Sequence, residues 1–148
     1  MKSDISVTYL TSRKNCPSPV SFKKWINLAI STSHLIHVKI VNDTESKKIN
    51  SKFRGVDKST NVLSFSYQNS KNFVWGDLLL CSDVIISEAN SHEKDIRDHY
   101  AHLTLHGSLH LIGYDHVDKH EALTMETKEV ELLQLLGIKS PYLNNEYI

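Results

Sequence analysis

Three histidines in the stretch LHGSLHLIGYDH, residues 105–116, have a spacing that suits metal binding. His106 and His110 are four residues apart, so on a helix they lie on one face with Cβ atoms about 5–6 Å apart. Both imidazoles can then reach one ion at about 2.0–2.1 Å. Gly113 tolerates the left-handed turn of a helix end, so the chain can reverse there and bring His116 over the same ion. Three neutral histidines with one open coordination position are typical of a catalytic zinc site.

Five of the nine histidines fall within residues 102–120, so two more flank this cluster. His102 lies one helical turn before His106. A helix rises about 1.5 Å per residue, which places His102 and His110 roughly 12 Å apart and prevents both from binding one ion. We therefore expect His102 to line the approach to the site and bind substrate, or to support the ligands from behind. We expect His120 to be solvated.

The spacing H-x-x-x-H-x-x-G-x-x-H is that of the metzincin zinc proteases, but Gly107 occupies the position of their catalytic glutamate. In those enzymes the glutamate accepts a proton from the metal-bound water. A metal alone can lower the pKa of bound water to about 7, so hydrolysis remains possible if another group stabilises the transition state. For a phosphodiester, that group is commonly an arginine or a lysine.

One segment of this chain offers such a cation. Between positions 44 and 58 there are five basic residues against two acidic ones, whereas the whole chain has zero formal net charge. Arg54 lies beside Gly55 at a predicted helix end, where its side chain can project into a cleft. The alternative is a solvated basic helix face.

The elements that must position these residues alternate in type along the chain. Strands are predicted at 5–9, 34–43, 60–67 and 76–81, and helices from Ser21, from Thr44 through Arg54, and over 82–92, 96–112 and 118–136. A hairpin is predicted at 69–72. This order predicts an α+β fold in one compact domain, residues 1–148. It has a small mixed sheet of about four strands and about five helices, one of them a zincin-like metal-site helix.

Bulk composition limits the functional classes. The 17 basic and 17 acidic residues give no global electrostatic attraction for nucleic acid, so any such binding must be local. No apolar run approaches the roughly 20 residues that span a bilayer, and the N-terminus lacks the apolar core of a secretory signal. The two cysteines form no C-x-x-C pair. We expect a cytoplasmic protein that does not bind membranes.

Two segments together carry a family resemblance. HGSLHLIGYDH and INSKFRGVDKSTNVLSF resemble the signatures of the YbeY family, which are metal-dependent endoribonucleases that cleave single-stranded RNA and mature ribosomal RNA. GDLLLCSDVI and METKEVELLQLLGI resemble further segments of that family, so the resemblance covers roughly residues 35 to 142. Ser59 and Ser66 stand where the family usually has proline, which predicts a less rigid loop beside Arg54.

The resemblance implies a function and the residues that carry it. It implies one Zn²⁺ ion per chain on His106, His110 and His116, and a role for Arg54 in RNA cleavage or binding. The implied substrates are single-stranded RNA and ribosomal RNA, and the implied partner is the ribosome or its small subunit. The implied roles are 3′ end maturation of small-subunit ribosomal RNA and ribosome quality control.

Three questions remain open at the level of sequence. The same histidine spacing is compatible with a metzincin-like metallopeptidase, which Gly107 disfavours. It is also compatible with a non-catalytic ribosome assembly factor that uses zinc for folding. For a nuclease, either water or the RNA 2′-OH could be the nucleophile.

Overall fold

A mixed four-stranded β-sheet organises the fold in the computed structural model, which describes residues 3–142. The strands are β1 (Asp4–Tyr9), β2 (Ser33–Val41), β3 (Val62–Asn69) and β4 (Phe73–Cys81). Their order in the sheet is β1-β2-β4-β3. β1 and β4 both run parallel to β2, whereas β3 runs antiparallel to β4 as the other arm of a tight hairpin. The predicted mixed sheet and the hairpin around residues 69–72 are thus confirmed.

Five helices accompany the sheet within residues 3–142, as predicted. They are α1 (Pro19–Ala29), α2 (Asp43–Arg54), α3 (Ser82–Ser91), α4 (Ile96–Leu111) and α5 (Lys119–Leu135). No helix in this part of the chain is both long enough and apolar enough to cross a membrane.

Two predicted helix starts were wrong by a few residues. α1 begins at Pro19, whose fixed φ suits a first helical position, and Ser21 is buried inside the helix. There the Ser21 Oγ accepts a hydrogen bond from Arg97 Nη1 at 2.7 Å. α2 begins at Asp43, because the side chain of Asn42, not of Thr44, caps it by accepting from the Glu45 N–H at 2.9 Å.

The main hydrophobic core lies between one face of the sheet and the helices α1 and α4. Side chains that alternate along β2 and β4 point into it, and α4 contributes fully buried leucines. Its members include Phe22, Ile26, Ile36, Val38, Leu78, Leu80, Leu105 and Leu109. A smaller cluster of Val41, Leu63, Leu79 and Cys81 lies on the opposite face, against Ile49 of α2 and Val84 of α3. α4 is thereby held from several sides, which makes it a rigid platform for a site.

Candidate metal centre

The helix α4 presents His106 and His110, and its two ends explain why it forms here. At its start, the Asp95 carboxylate accepts a hydrogen bond from the Asp98 N–H at 3.0 Å. Beyond its end, the Gly113 N–H bonds to the His110 carbonyl at 3.1 Å, and the N–H of residue 114 bonds to the carbonyl of residue 109 at 3.0 Å. This pair of bonds is a Schellman motif, and Gly113 takes the φ of +104° that glycine adopts without strain.

The reversal at Gly113 brings His116 back to the two helical histidines, as the sequence predicted. One nitrogen from each of His106, His110 and His116 can be chosen so that all three lie within 4.8 Å of one another. The ring centroid of His116 is 5.7 Å from that of His106 and 5.0 Å from that of His110. The three histidines therefore form a cluster that could hold a metal ion.

The geometry of the helical pair fits zinc. The Nε2 atoms of His106 and His110 are 3.2 Å apart. Two nitrogens bound at about 2.0–2.1 Å to one tetrahedral zinc ion lie roughly 3.3–3.4 Å apart. The side chains of His106 and His116 are 23% and 59% exposed, so the cluster is open to solvent on one side. An open side is what a catalytic site requires and what a closed structural site lacks.

Burial and neighbouring charge favour the neutral form of His110. Partial burial lowers its pKa, and the nearby imidazoles of His106 and His116 lower it further. Neutral imidazole is the form that binds a metal, because the ligand nitrogen must keep its lone pair.

A buried carboxylate, Glu129 on α5, lies directly behind the cluster. Its Oε1 accepts a hydrogen bond from His102 Nε2 at 2.6 Å, and its Oε2 lies 3.3 Å from His106 Nδ1. The Tyr142 hydroxyl donates to the same carboxylate at 3.3 Å. Burial alone would raise the pKa of Glu129, but the hydrogen bonds from His102 and His106 hold the pKa well below its usual range.

Sequence reasoning missed Glu129, although a signal for it exists. α5 buries Met125, Leu132 and Leu133, and Glu129 lies on the same helical face, with no exposed surface at all. A glutamate in the middle of an apolar helical stripe is rarely left unpaired, so its position predicts a buried hydrogen-bond donor or a cation beside it.

His102 lies away from the open side of the cluster. Its side chain is 14% exposed and bonds to Glu129. It does not line the cleft that runs from the histidine cluster to Arg54. Burial lowers its pKa, which favours a neutral ring. Of its two expected roles, this position supports the one behind the ligands. Substrate binding by His102 stays a prediction that its position does not favour.

Gly107 faces the sheet and not the cluster. A Cβ atom placed there would lie 2.8 Å from Leu78 Cδ2, 3.1 Å from Ser64 Oγ and 3.1 Å from Val62 Cγ2. The Ser64 hydroxyl also donates to the Gly107 carbonyl at 3.0 Å, so α4 and β3 are in close contact. The close packing of α4 against the sheet thus explains a glycine at this position, independently of catalysis.

A cleft of about 510 Å³ joins the histidine cluster to Arg54. Its lining side chains come from α4, from the loop after Gly113, from β3 and from the segment before β3. Arg54 is exposed at the last position of α2, and no acidic side chain within residues 3–142 pairs with it. It is the one arginine or lysine among the described residues that line the cleft, and Asp115 is the one carboxylate.

The segment that connects α2 to β3 is fastened to α2 by two buried polar side chains. The Asn50 amide donates to the Lys58 carbonyl at 2.8 Å. The Ser46 hydroxyl donates to the Thr60 carbonyl at 3.0 Å and accepts from the Thr60 N–H at 3.1 Å. These bonds determine where this wall of the cleft lies relative to Arg54. The looser loop expected from Ser59 stays a prediction.

Comparison with known proteins identifies the family of this chain. The profile of the family described as Endoribonuclease YbeY matches residues 14–137. The chain belongs to the YbeY family. That family is named for endoribonucleases, enzymes that cleave phosphodiester bonds within RNA.

Relatives in the YbeY family match most of the chain. The Endoribonuclease YbeY of Alteromonas mediterranea is 42% identical over 133 residues, which are 85% of this chain and 84% of that protein. The Endoribonuclease YbeY of Psychromonas ingrahamii is 41% identical over 140 residues, 88% of this chain and 89% of that protein. The solution structure of TM1509 from Thermotoga maritima has a TM-score of 0.57 at 22% identity, over 90% of this chain and 91% of that one. The last similarity supports the fold alone.

Proposed function

We propose that this protein is a zinc-dependent endoribonuclease that cleaves single-stranded RNA, with residues 1–148 as one catalytic domain. The observation that carries the proposal is the shared cleft, which has three imidazoles at one end and the Arg54 guanidinium in its wall. These two kinds of group suit a metal-dependent nuclease, because a metal on the imidazoles can activate the attacking oxygen and the guanidinium can stabilise charge on the phosphate.

His106, His110 and His116 would hold the ion, one per chain. When bound, zinc supplies Lewis-acid chemistry at the reacting phosphate or at water. The protein's own contribution is to fix two of the imidazoles on a helix packed into the core and to favour the neutral form of His110. Arg54 would bind the phosphate and offset the negative charge that develops there.

Family membership supports a proposal for the cellular role. We propose ribosomal RNA as the substrate, with action at the 3′ end of small-subunit ribosomal RNA and in ribosome quality control. The ribosome or its small subunit would be the partner, and the cytoplasm the compartment. Deleting the gene in its host should leave small-subunit RNA with an extended 3′ end. The wild-type gene should restore processing, whereas one encoding His116→Ala should not.

The metallopeptidase alternative gains no support from the cleft. Gly107, the position of the protease glutamate, is covered by β3 and β4. Glu129 is fully buried behind the cluster and bonded to two histidines, so it does not stand in for that base. Casein cleavage that is lost in His110→Ala, without any cleavage of RNA, would restore this alternative.

The central test pairs zinc content with RNA cleavage. Wild type should carry about one zinc ion per chain and cut single-stranded RNA, and a chelator should remove both properties reversibly. His116→Ala should lose zinc and at least 100-fold in rate. His120→Ala is the matched control, because His120 is exposed and does not line the cleft. Full cleavage by zinc-free protein or by His116→Ala would disprove the proposal.

A stability measurement separates the nuclease from a zinc-stabilised assembly factor. If zinc only maintains the fold, His116→Ala should be unfolded or strongly destabilised. We expect it to stay folded, because His116 lies in an exposed segment and the core is complete without it.

The ends of the RNA products identify the nucleophile. A 3′-hydroxyl with a 5′-phosphate indicates water, and a cyclic phosphate indicates the RNA 2′-OH.

A further inference from the structure

We propose that Glu129 is a positioning residue, which holds the His106 imidazole in the tautomer that leaves its Nε2 free to bind a metal. The inference rests on the proposed zinc site, because it concerns how one ligand of that site is prepared. It assigns a function to a side chain from α5, an element that contributes no metal ligand.

The burial of Glu129 is the first observation. A carboxylate with no exposed surface is unfavourable unless several donors replace the water that it has lost. Here His102 Nε2 donates to one oxygen at 2.6 Å, the Tyr142 hydroxyl donates to the same oxygen at 3.3 Å, and His106 Nδ1 lies 3.3 Å from the second oxygen. The site is therefore built around an ionised carboxylate, with an imidazole at each oxygen.

The chemistry of an ionised carboxylate then determines the proton positions. Such a group only accepts hydrogen bonds, so each imidazole nitrogen that faces it must carry the proton. For His106 that nitrogen is Nδ1, and a neutral ring then keeps its lone pair on Nε2. This Nε2 is the atom that lies 3.2 Å from His110 Nε2. Glu129 thus orients the lone pair of His106 toward the position of the metal.

His102 determines which of the two Glu129 oxygens must remain a hydrogen-bond acceptor. With its proton on Nε2, His102 leaves a buried Nδ1 that has no hydrogen-bond partner within residues 3–142. Moving the proton to Nδ1 would bury a donor without an acceptor, which is unfavourable. The carboxylate oxygen that faces His102 must therefore remain an acceptor, and any change at Glu129 is transmitted mainly to His106.

Glu129→Gln tests this transmission because it preserves shape and removes one acceptor. The amide oxygen should remain on His102, so the amide NH₂ faces His106 Nδ1. That nitrogen can then accept only by losing its proton, which moves the proton to Nε2 and removes the lone pair needed for zinc. We expect zinc affinity to fall about 10- to 100-fold. Glu131→Gln, on the exposed side of the same helix, is the matched control and should bind zinc as wild type does.

Two readouts besides activity decide the question. Long-range ¹H–¹⁵N NMR spectra of zinc-free protein report the tautomer of His106, and chelator competition reports zinc affinity. We expect the proton on Nδ1 in wild type and in Glu131→Gln, and on Nε2 in Glu129→Gln. Glu129→Asp keeps both acceptor oxygens and should recover the wild-type tautomer. A role in folding alone would change stability without moving the tautomer.

The outcomes separate this inference from the proposed function. If His116→Ala binds zinc as tightly as wild type, the proposed metal site is wrong, while the His106 tautomer still tests Glu129. If Glu129→Gln keeps both the wild-type tautomer and the wild-type affinity, the inference is overturned. If Glu129→Gln does not fold, wild-type spectra still decide, because a neutral His106 protonated on Nε2 without zinc would contradict it.

Discussion

Asn50, one buried amide, ties the cleft wall to the helix that carries Arg54. Only 1% of the residue is exposed, and its Nδ2 donates to the Lys58 carbonyl at 2.8 Å. The bond spans eight residues, so a single side chain holds the end of α2 and the segment before β3 in register. Arg54 is the last residue of that helix, which makes its position depend on this contact.

Substitution of Asn50 should show that its donor, and not its volume, matters. Asn50→Ala removes the donor and should lower the free energy of unfolding by about 1–3 kcal/mol. Asn50→Asp has the same shape but presents a buried charged oxygen to the Lys58 carbonyl. It should therefore lower the free energy of unfolding by more than Asn50→Ala does. Urea unfolding measures both, with Ser51→Ala, exposed on the same helix, as the control. Equal stability of Asn50→Asp and wild type would refute the role of this donor.

Sequence reasoning found the site residues whose partners are close in sequence. It missed the one whose partners are distant in sequence. The histidine cluster was predictable because a helix and one glycine turn fix the geometry within eleven residues. Glu129 was missed because its contacts with His102 and His106 join two helices and depend on tertiary packing. Local spacing carries the first kind of information and not the second.

At the level of elements, Glu88 links α3 to both α4 and the start of β3. It accepts hydrogen bonds from His99 Nε2 at 3.0 Å and from Asn61 Nδ2 at 3.1 Å. The bond from His99 is the main cause that lowers the pKa of Glu88 below its ordinary value of 4.5, against the opposing effect of partial burial. Because Asn61 lines the cleft, this link connects the sheet edge at the site to the packing of two helices.

The lowered pKa of Glu88 predicts a pH dependence of stability. A carboxyl group with a depressed pKa in the folded state contributes stability above its unfolded pKa, and this stability is lost as pH falls through the folded value. Glu88→Gln should therefore be less stable than wild type at neutral pH. The difference should shrink as the pH falls below about 4.5. We expect a difference under about 1 kcal/mol, since 36% of the side chain is exposed and solvent screens the charge.

Thermal or urea unfolding at a series of pH values measures this difference. Glu131→Gln, whose carboxylate forms an exposed pair with Lys128, should differ from wild type in free energy of unfolding by a nearly constant amount at all these pH values. A Glu88→Gln offset that grew toward acid pH would contradict the assignment of the shift.

The elements themselves were largely predictable, because strands and helices repeat apolar residues with different periods. Every predicted strand and helix exists within residues 3–142. The starts of α1 and α2 were less predictable, since several polar residues near each start could have served as the cap. Asn42 and Thr44 are both good cap residues, and the geometry of the chain leaving β2 decides between them.

The whole molecule has no net charge, so its affinity for RNA must come from a few local cations. Arg54 is the one arginine or lysine among the described residues that line the cleft. The strand order β1-β2-β4-β3 places Arg54 at the cleft, because β3 forms one edge of the sheet, where it packs against α4 and where Phe65 contacts Phe53 near the end of α2. That order could not be derived from sequence patterns, because pairing between strands far apart in sequence depends on the assembled fold.

The salt dependence of RNA binding should therefore be shallow and should depend on Arg54. For single strands, each phosphate neutralised contributes about 0.7 to the slope of log affinity against log salt concentration. Arg54→Gln should weaken binding and reduce the magnitude of that slope by about 0.7. Arg13→Gln is the control, because the Arg13 guanidinium lies over the Tyr9 ring and does not line the cleft. Fluorescence anisotropy with labelled RNA and zinc-free protein over a range of KCl concentrations measures both slopes, and an unchanged slope in Arg54→Gln would exclude Arg54 from phosphate contact.

The close contact of Gly107 with the sheet limits which catalytic activities substitutions can introduce into this fold. Replacing the glycine with the glutamate of a zinc protease requires a Cβ atom where Leu78, Val62 and Ser64 already lie. A mutational route from this site to a peptidase therefore has to make room between α4 and the strands β3 and β4, either by shortening the facing side chains or by moving α4, which would also move His106 and His110. In this scaffold, introducing the protease glutamate therefore calls for compensating changes in the facing strands as well as the substitution itself.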